Sequence, residues 1–313
     1  MTEQDALSKM FPPSRRRHGV WRGGVLQIWT TRGCDKSCFG CTQGSNLGGK
    51  PALITPEQFE AACLSLRGYF GVVGMFGGNP CSHPQFEQLC DIMAAHVPFE
   101  QRGLWSNNLL GKGAVARRTF NPAVSNLNVH LDQAAFDEFR STWPESQPFG
   151  LDTDSRHSPP YVALQDVIDD EAERWDLISG CDINRRWSAM ICVFRGDLRG
   201  YFCEIAGAQA MLHQAQLDYP DLGVEIAPDW WRRGMPDFAE QARFHCHACG
   251  IPLRGYGALA QDESGAEQVS ITHSAIYRPK RRGRLVQLVT DREQLGKPLD
   301  VATDYIANGE SVS

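Results

Sequence analysis

Cys34-Asp35-Lys36-Ser37-Cys38-Phe39-Gly40-Cys41 places three thiols at the spacing C-x3-C-x2-C. Three thiolates this close can grip one face of an iron–sulfur cubane, leaving one iron without a protein ligand. An open iron can hold a substrate or cosubstrate, whereas a cluster with four cysteine ligands is closed. Fe–S clusters reach potentials as low as about −700 mV, which suits the reduction of a sulfonium. A zinc site with three cysteines is the competing use, although zinc favours four protein ligands or a catalytic water.

Cys181, Cys203, Cys246 and Cys249 form a second set. Cys246 and Cys249 are a C-x2-C clamp, and Cys181 and Cys203 flank a predicted hairpin. Four such thiolates can close a metal site, and their spacing fits zinc with four cysteines. Plain buried thiols are the simpler alternative. Cys63, Cys90 and Cys192 fall on apolar helix or strand faces and read as packing residues. Cys81 directly follows a Gly77-Gly78-Asn79-Pro80 turn and reads as a structural thiol, with approach to a ligand site as the less favoured alternative.

Residues 151–161 gather Asp152, Asp154, Arg156 and His157. Such groups orient a polar substrate or accept a proton after a hydrogen atom is removed, and the alternative is a solvated loop. Glu204 lies among apolar residues and needs a partner if buried. His245 and His247 flank Cys246, where hydrogen bonds to metal-bound sulfurs and solvent-facing positions are the two readings. Trp230-Trp231-Arg232-Arg233 reads as packing, with stacking on a planar ligand as the other use. Two basic runs, 15–18 and 278–284, read as solvated surface, with phosphate binding as the alternative.

The elements that must position these groups alternate. A strand at 24–30 precedes the first cysteine group. Thr55, Pro56 and Gln58 mark a helix start, followed by Phe59, Cys63 and Leu66 on one face. Strands at 71–76, 103–106 and 127–132 follow, with helices carrying Phe86, Leu89, Cys90 and Met93, and then 133–143. A short strand is predicted at 149–152. Alternating strands and helices predict a parallel α/β sheet with ligands at the carboxyl ends of its strands. The cysteine loop, the 77–80 turn and Asn107-Asn108 all fall there. Beyond 170 the pattern changes to a helix at 168–179, a hairpin at 188–203, and helices near 206–216 and 236–244. The predicted division is a tail at 1–19, a core at 20–170, a smaller unit at 171–257 and a C-terminal extension at 258–313.

The chain has 313 residues and a net charge of −6, which argues against a uniformly basic nucleic-acid surface. No apolar stretch approaches the ~20 residues of a membrane span, and the N-terminus lacks an apolar signal core. A cytoplasmic protein is expected. In a reducing compartment the 11 cysteines favour metal or cluster ligation over disulfides.

The cysteine spacing, the preceding strand and Gly77-Gly78-Asn79-Pro80 together resemble the radical S-adenosylmethionine (SAM) superfamily over roughly residues 24–150. The 77–80 turn is similar to the G-G-E-P motif that contacts the SAM amino group, with Asn79 where Glu is usual. Ser106-Asn107-Asn108 resembles a later T-N-G segment. His130 and Asp132 stand where relatives have S-x-D near the SAM ribose or carboxylate. Gly40 stands where many relatives have an aromatic residue, as in the activase branch. The resemblance implies a partial (β/α)6 barrel, a 4Fe–4S cluster on Cys34, Cys38 and Cys41, and SAM on its open iron. It also implies reductive cleavage to a 5′-deoxyadenosyl radical that takes a hydrogen atom from substrate. The second cysteine set is similar to the auxiliary-cluster "twitch" domain, with the layout of 2-deoxy-scyllo-inosamine dehydrogenase. That implies a second 4Fe–4S cluster, on Cys181, Cys203, Cys246 and Cys249. The expected partners are a polar small-molecule substrate and an external one-electron reductant such as flavodoxin or ferredoxin. No membrane partner is expected. Oxidation or rearrangement of the substrate is the preferred reaction. Modification of a nucleotide, a nucleic-acid base or a peptide side chain is the alternative within catalysis, and a zinc-binding interaction module is the non-enzyme alternative.

Overall fold

Val25–Thr31 is buried along its whole length, so this strand, β1, must be covered on both faces and paired on both edges. The computed structural model describes residues 1–10, 24–49, 52–151, 158–256, 266–281 and 283–297, with short pieces at 306–307 and 310–311. After a first helix, α1 (Glu3–Lys9), β1 is followed by α2 (Pro56–Ser65), β2 (Val72–Gly77), α3 (Phe86–His96), β3 (Arg102–Ser106), α4 (Gly113–Thr119), β4 (Asn126–Leu127) and α5 (Gln133–Thr142). Thr55 and Gln58 form the predicted capping box at the start of α2, with Pro56 in the first turn. Phe59, Cys63, Phe86, Leu89, Cys90 and Met93 all enter the core, as their spacing requires.

The next elements are α6 (Leu164–Val167), α7 (Glu171–Gly180), α8 (Asp182–Arg186), β5 (Ser188–Phe194), β6 (Asp197–Tyr201), α9 (Glu204–His213), β7 (Val224–Glu225) and α10 (Met235–Gln241). Seven strands make one sheet in the order β4-β3-β2-β1-β5-β6-β7. The pairs from β4 through β5 are parallel, and β5-β6 and β6-β7 are antiparallel. This mostly parallel α/β sheet is compatible with a partial barrel. It differs from a simple β/α progression, because the hairpin strand β5 enters beside β1 and not beyond β4. The sheet therefore runs through both the 20–170 and the 171–257 segments. The hairpin turns at Arg195 and Gly196, both at positive φ (49° and 96°), as a two-residue hairpin turn requires.

Two predicted strands are shorter than their sequence pattern. The one at 127–132 ends at Leu127, because His130 and Leu131 adopt left-handed backbone (φ 49° and 64°) that a strand cannot continue through. The one at 149–152 is reduced to a single bridge between Phe149 and Asn128. The C-terminal segment adds β8 (Glu267–Ser270), α11 (Ile271–Ser274) and β9 (Val286–Val289), with β8 and β9 pairing in parallel. Beyond these lie β10 (Ile306–Ala307) and β11 (Glu310–Ser311), an antiparallel pair. Among the described residues no helix is long and apolar enough to cross a membrane.

Candidate functional site

The loop after β1 begins where the turn after β2 docks on it. Gly78 N–H donates to Thr31 O and Asn79 N–H donates to Gly33 O, each at 2.7 Å. A Cβ at Gly77 or Gly78 would collide with the carbonyl oxygens of Thr31 or Gly33, and Gly77 also sits at φ 146°. Glycine is thus required for this contact. It fixes the backbone immediately before Cys34.

Asp35, beside Cys34, collects amides from the ends of two neighbouring strands. Its carboxylate accepts from Asn107 Nδ2 at 3.0 Å, from Asn108 Nδ2 at 2.7 Å and from Asn79 Nδ2 at 3.4 Å. Asn79 also donates to Asn108 Oδ1 at 2.8 Å, and its own Oδ1 accepts from Cys81 N–H and from Ser106 Oγ. Burial pushes the Asp35 carboxyl up, but the hydrogen bonds from Asn107, from its own backbone, and from Asn79 and Asn108 outweigh it and leave it below its usual value. Lys36 carries the same tie to the next strand, through a 2.7 Å ion pair with Asp132. Asp132 also caps α5 by accepting from Ala135 N–H at 3.1 Å. Hydrogen bonding to Lys36 is the main cause of its lowered pKa.

Asn79, Asn107, Asn108 and Asp132 therefore converge on the cysteine loop. Pro80 opens a buried turn, Pro80–Ser82, beside them. His130 lies half-buried at the left-handed turn after β4. Asp152, Asp154, Arg156 and His157 lie outside the described residues.

Cys34, Cys38 and Cys41 are half-buried. Burial, as the main cause, pushes the Cys34 thiol up to about 12 and the Cys38 thiol up to about 11, and the neighbouring cysteines add to both shifts. The backbone around them is held from outside. Lys280 Nζ donates to Cys34 O at 2.6 Å, Tyr161 OH donates to Cys41 O at 2.8 Å, and Arg284 donates to Ser37 O. Glu267 accepts from Gly40 N–H at 2.8 Å and from Asn46 Nδ2 at 3.1 Å. Three carbonyls of the loop, those of Cys34, Ser37 and Cys41, are thus engaged by side chains from elsewhere in the chain. A cavity of about 700 Å³ opens beside it, lined by Arg32, Cys34, Asp35, Ser45, Leu53 and Lys280 among others. That volume is ordinary for a small-molecule site.

The second cysteine set also converges. Cys181, Cys203, Cys246 and Cys249 are all buried and line one cavity of about 20 Å³, together with Asn184 and His245. This is room for about one water. Burial first, and then Cys181 and Cys246, push Cys203 well up, while burial takes Cys249 to about 12. Two buried polar atoms among these lining residues, His245 Nε2 and Asn184 Oδ1, have no hydrogen-bond partner among the described residues. Orphaned polar atoms beside four thiols fit a site that takes a further group. His247, by contrast, is turned to Arg174, whose Nε donates to its Nδ1 at 3.1 Å, and to the edge of Trp175. Among the described residues, no three His, Cys, Asp or Glu side chains gather as ligands of a single metal ion.

The remaining expectations separate cleanly. Cys63, Cys81, Cys90 and Cys192 are buried, and Cys81 lies within 3.9 Å of Ser106 Oγ in the asparagine cluster. Trp230 and Trp231 are buried, and Trp231 meets Tyr69 edge to face at 5.1 Å, which is packing. Glu204 finds partners in Ser188 Oγ, at 2.5 Å, and Gln27, and burial pushes it up to about 7. Sequence reasoning missed Asp35, Lys36, Glu267 and Tyr277. Their signal was faint: two were read as spacers between cysteines and two as parts of an extension.

No protein-family model and no curated protein matches this sequence. Among solved structures, the crystal structure of BtrN in complex with AdoMet and 2-DOIA is similar over 41% of this chain and 54% of that chain, at 12% identity and a TM-score of 0.31. This chain thus spans about half the length of that structure. It is a weak structural neighbour of this chain.

Proposed function

We propose that this chain is a radical SAM enzyme acting on a polar small molecule, which it oxidises or rearranges. The observation that carries the reading is the junction at Asp35. There the three-cysteine loop, the Gly77–Pro80 turn and Asn107-Asn108, from the ends of three adjacent parallel strands, meet beside a 700 Å³ cavity. Cys34, Cys38 and Cys41 would hold a 4Fe–4S cluster, which supplies reductive cleavage of SAM to methionine and a hydrogen-abstracting 5′-deoxyadenosyl radical. The chain's own work is positional. Gly77 and Gly78 bring backbone close to the loop, and Asn79, Asn107 and Asn108 hold Asp35. Lys36 and Asp132 tie in the fourth strand. Leu47, Leu53 and Leu110 give the cavity an apolar part of its wall.

For Cys181, Cys203, Cys246 and Cys249 we favour a closed auxiliary 4Fe–4S cluster that accepts an electron from substrate, because four thiolates leave no open iron. A single zinc ion on the same four cysteines is the second reading, on the chemistry of the donor set alone. For the substrate, a nucleotide or nucleic-acid base is the second reading. Lys280 and Arg32 line the larger cavity, and Arg278 and Arg281 are exposed in the same basic run as Lys280.

Anaerobic reconstitution followed by SAM and a reductant tests the reading. Formation of 5′-deoxyadenosine, with about eight irons per chain or about four plus one zinc, supports it. Zinc alone and no adenosyl product would overturn it. A steep loss of substrate binding with salt would move the substrate to the nucleic-acid reading.

A further inference from the structure

We propose that Glu267 and Arg284, from the C-terminal β8–β9 segment, are positioning residues for the cysteine loop and set the charge beside it. The inference rests on the reading that Cys34, Cys38 and Cys41 hold a cluster, and it extends that site to a region more than 200 residues away in sequence.

The two side chains bracket residues 37–40. Glu267 is fully buried, and its Oε1 accepts from Gly40 N–H at 2.8 Å. Its Oε2 accepts from Arg284 Nη1 at 2.7 Å and from Tyr277 OH. Arg284 reaches on to Ser37 O with its other nitrogen and lies 4.1 Å from the centre of the Phe39 ring. Its side chain is only 6% exposed, so neither charge is shared with solvent. Tyr161 and Asn46 extend the network, because Tyr161 OH bonds both Asn46 Oδ1 and Cys41 O.

Two consequences follow from this arrangement. Gly40 turns in left-handed backbone (φ 61°), and the carboxylate on its N–H holds that turn between the second and third cysteines. The pair is also neutral only as a pair. Removing the carboxylate leaves a buried guanidinium next to the loop, and a positive charge there favours uptake of an electron. Weakening the donors to the carboxylate does the opposite.

The experiment compares Glu267→Gln and Tyr277→Phe with the parent chain, reconstituted anaerobically. The midpoint potential is read from the cluster whose EPR signal changes when SAM is added. Glu267→Gln is expected to raise the potential and Tyr277→Phe to lower it. A role confined to fold stability would not give opposite signs. Hydrogen exchange at the Gly40 amide in the metal-free full-length chain is the independent readout. It should quicken at least tenfold in Glu267→Gln and a few-fold in Tyr277→Phe. If Glu267→Gln does not fold, a lowered potential with faster exchange in Tyr277→Phe supports the inference. Unchanged potential and unchanged exchange in the variants that fold would overturn it. If the parent binds no iron, the cluster reading fails, and the exchange rates alone decide whether these residues hold the loop.

Discussion

The two cysteine groups are built on opposite principles. The 34–41 group sits on a loop whose backbone is held by side chains from far along the sequence, with half-buried cysteines of which Cys34 lines a 700 Å³ cavity. The 181–249 group is sunk in packed core, with all four sulfurs buried around about 20 Å³. A site that must admit a cosubstrate needs space and sulfurs that face it. A site that only stores or passes an electron, or holds the chain together, needs neither. The first group owes its geometry to polar contacts and the second to packing, so they should fail differently.

The largest expected effect separates their roles. A Cys34→Ala/Cys38→Ala/Cys41→Ala variant should lose 5′-deoxyadenosine formation by at least roughly a thousandfold, together with about four irons per chain. A Cys246→Ser/Cys249→Ser variant should keep uncoupled SAM cleavage while losing the metal of the second site. Anaerobic product assay and metal analysis check both. Adenosyl product surviving in the first variant and lost in the second would reverse the comparison.

Exposure gives the next effect. In the metal-free chain, Cys34, Cys38 and Cys41 should react with a maleimide at least roughly tenfold faster than Cys181, Cys203, Cys246 and Cys249, whose modification waits on local opening. Peptide mapping of a time course reads the order directly. Equal rates would mean that the second group is as open as the first.

This contrast also marks what the sequence could convey. Local patterns carried the capping box at Thr55, the buried faces of α2 and α3 and the β5–β6 hairpin. Each is decided within a few residues. The placement of β5 beside β1 was not legible, since edge choice depends on which strand the hairpin meets after the chain has folded back. The polar hold on the first loop was hidden for the same reason. Glu267 lies 227 residues from Gly40, and no periodicity marks a carboxylate that will be buried against a distant amide. The run 278–284 looked like solvated charge because its composition is basic. Arg284 is nevertheless buried, because its partners, Glu267 and the Ser37 carbonyl, come from elsewhere. The left-handed turn at His130 and Leu131 likewise gave no glycine as a warning.

Acid should loosen the second group's surroundings before the first's. His273, in contact with Ala248 O, is buried, and burial, as the main cause, lowers it to about 4, while His245 falls to about 3. The unfolded chain takes up these protons near pH 6.5, so the stability held by the neutral imidazoles falls as pH drops from there toward 4. For His273 alone this amounts to about 3 kcal/mol. Asp35 and Asp132 act in the same direction but in a lower pH window. Their pKa values lie below the ordinary 3.8, so their contribution is kept above that pH and lost only as acid carries them through their folded values. Protection against hydrogen exchange, corrected for the intrinsic rate at each pH, should therefore fall around 246–249 between pH 7 and 4 while the Gly40 amide stays protected. Simultaneous loss would show one cooperative unit and erase the distinction.

The smallest effect tests whether the first group depends on polar contacts at all. Asp35→Asn keeps shape and volume but replaces an acceptor oxygen with an NH2 facing the amide donors of Asn79, Asn107 and Asn108. At least one of those donors then points at a donor, and a half-buried unsatisfied amide costs about 1–3 kcal/mol. Urea denaturation should show an unfolding free energy lowered by that amount, read as a lower midpoint with the slope unchanged. Asp35→Ala, which removes the acceptor without adding a donor, lets water reach the three amides and should cost less than Asp35→Asn. If the alanine variant were instead the less stable of the two, the carboxylate would matter for the space it fills, and the first group would be governed by packing as the second is.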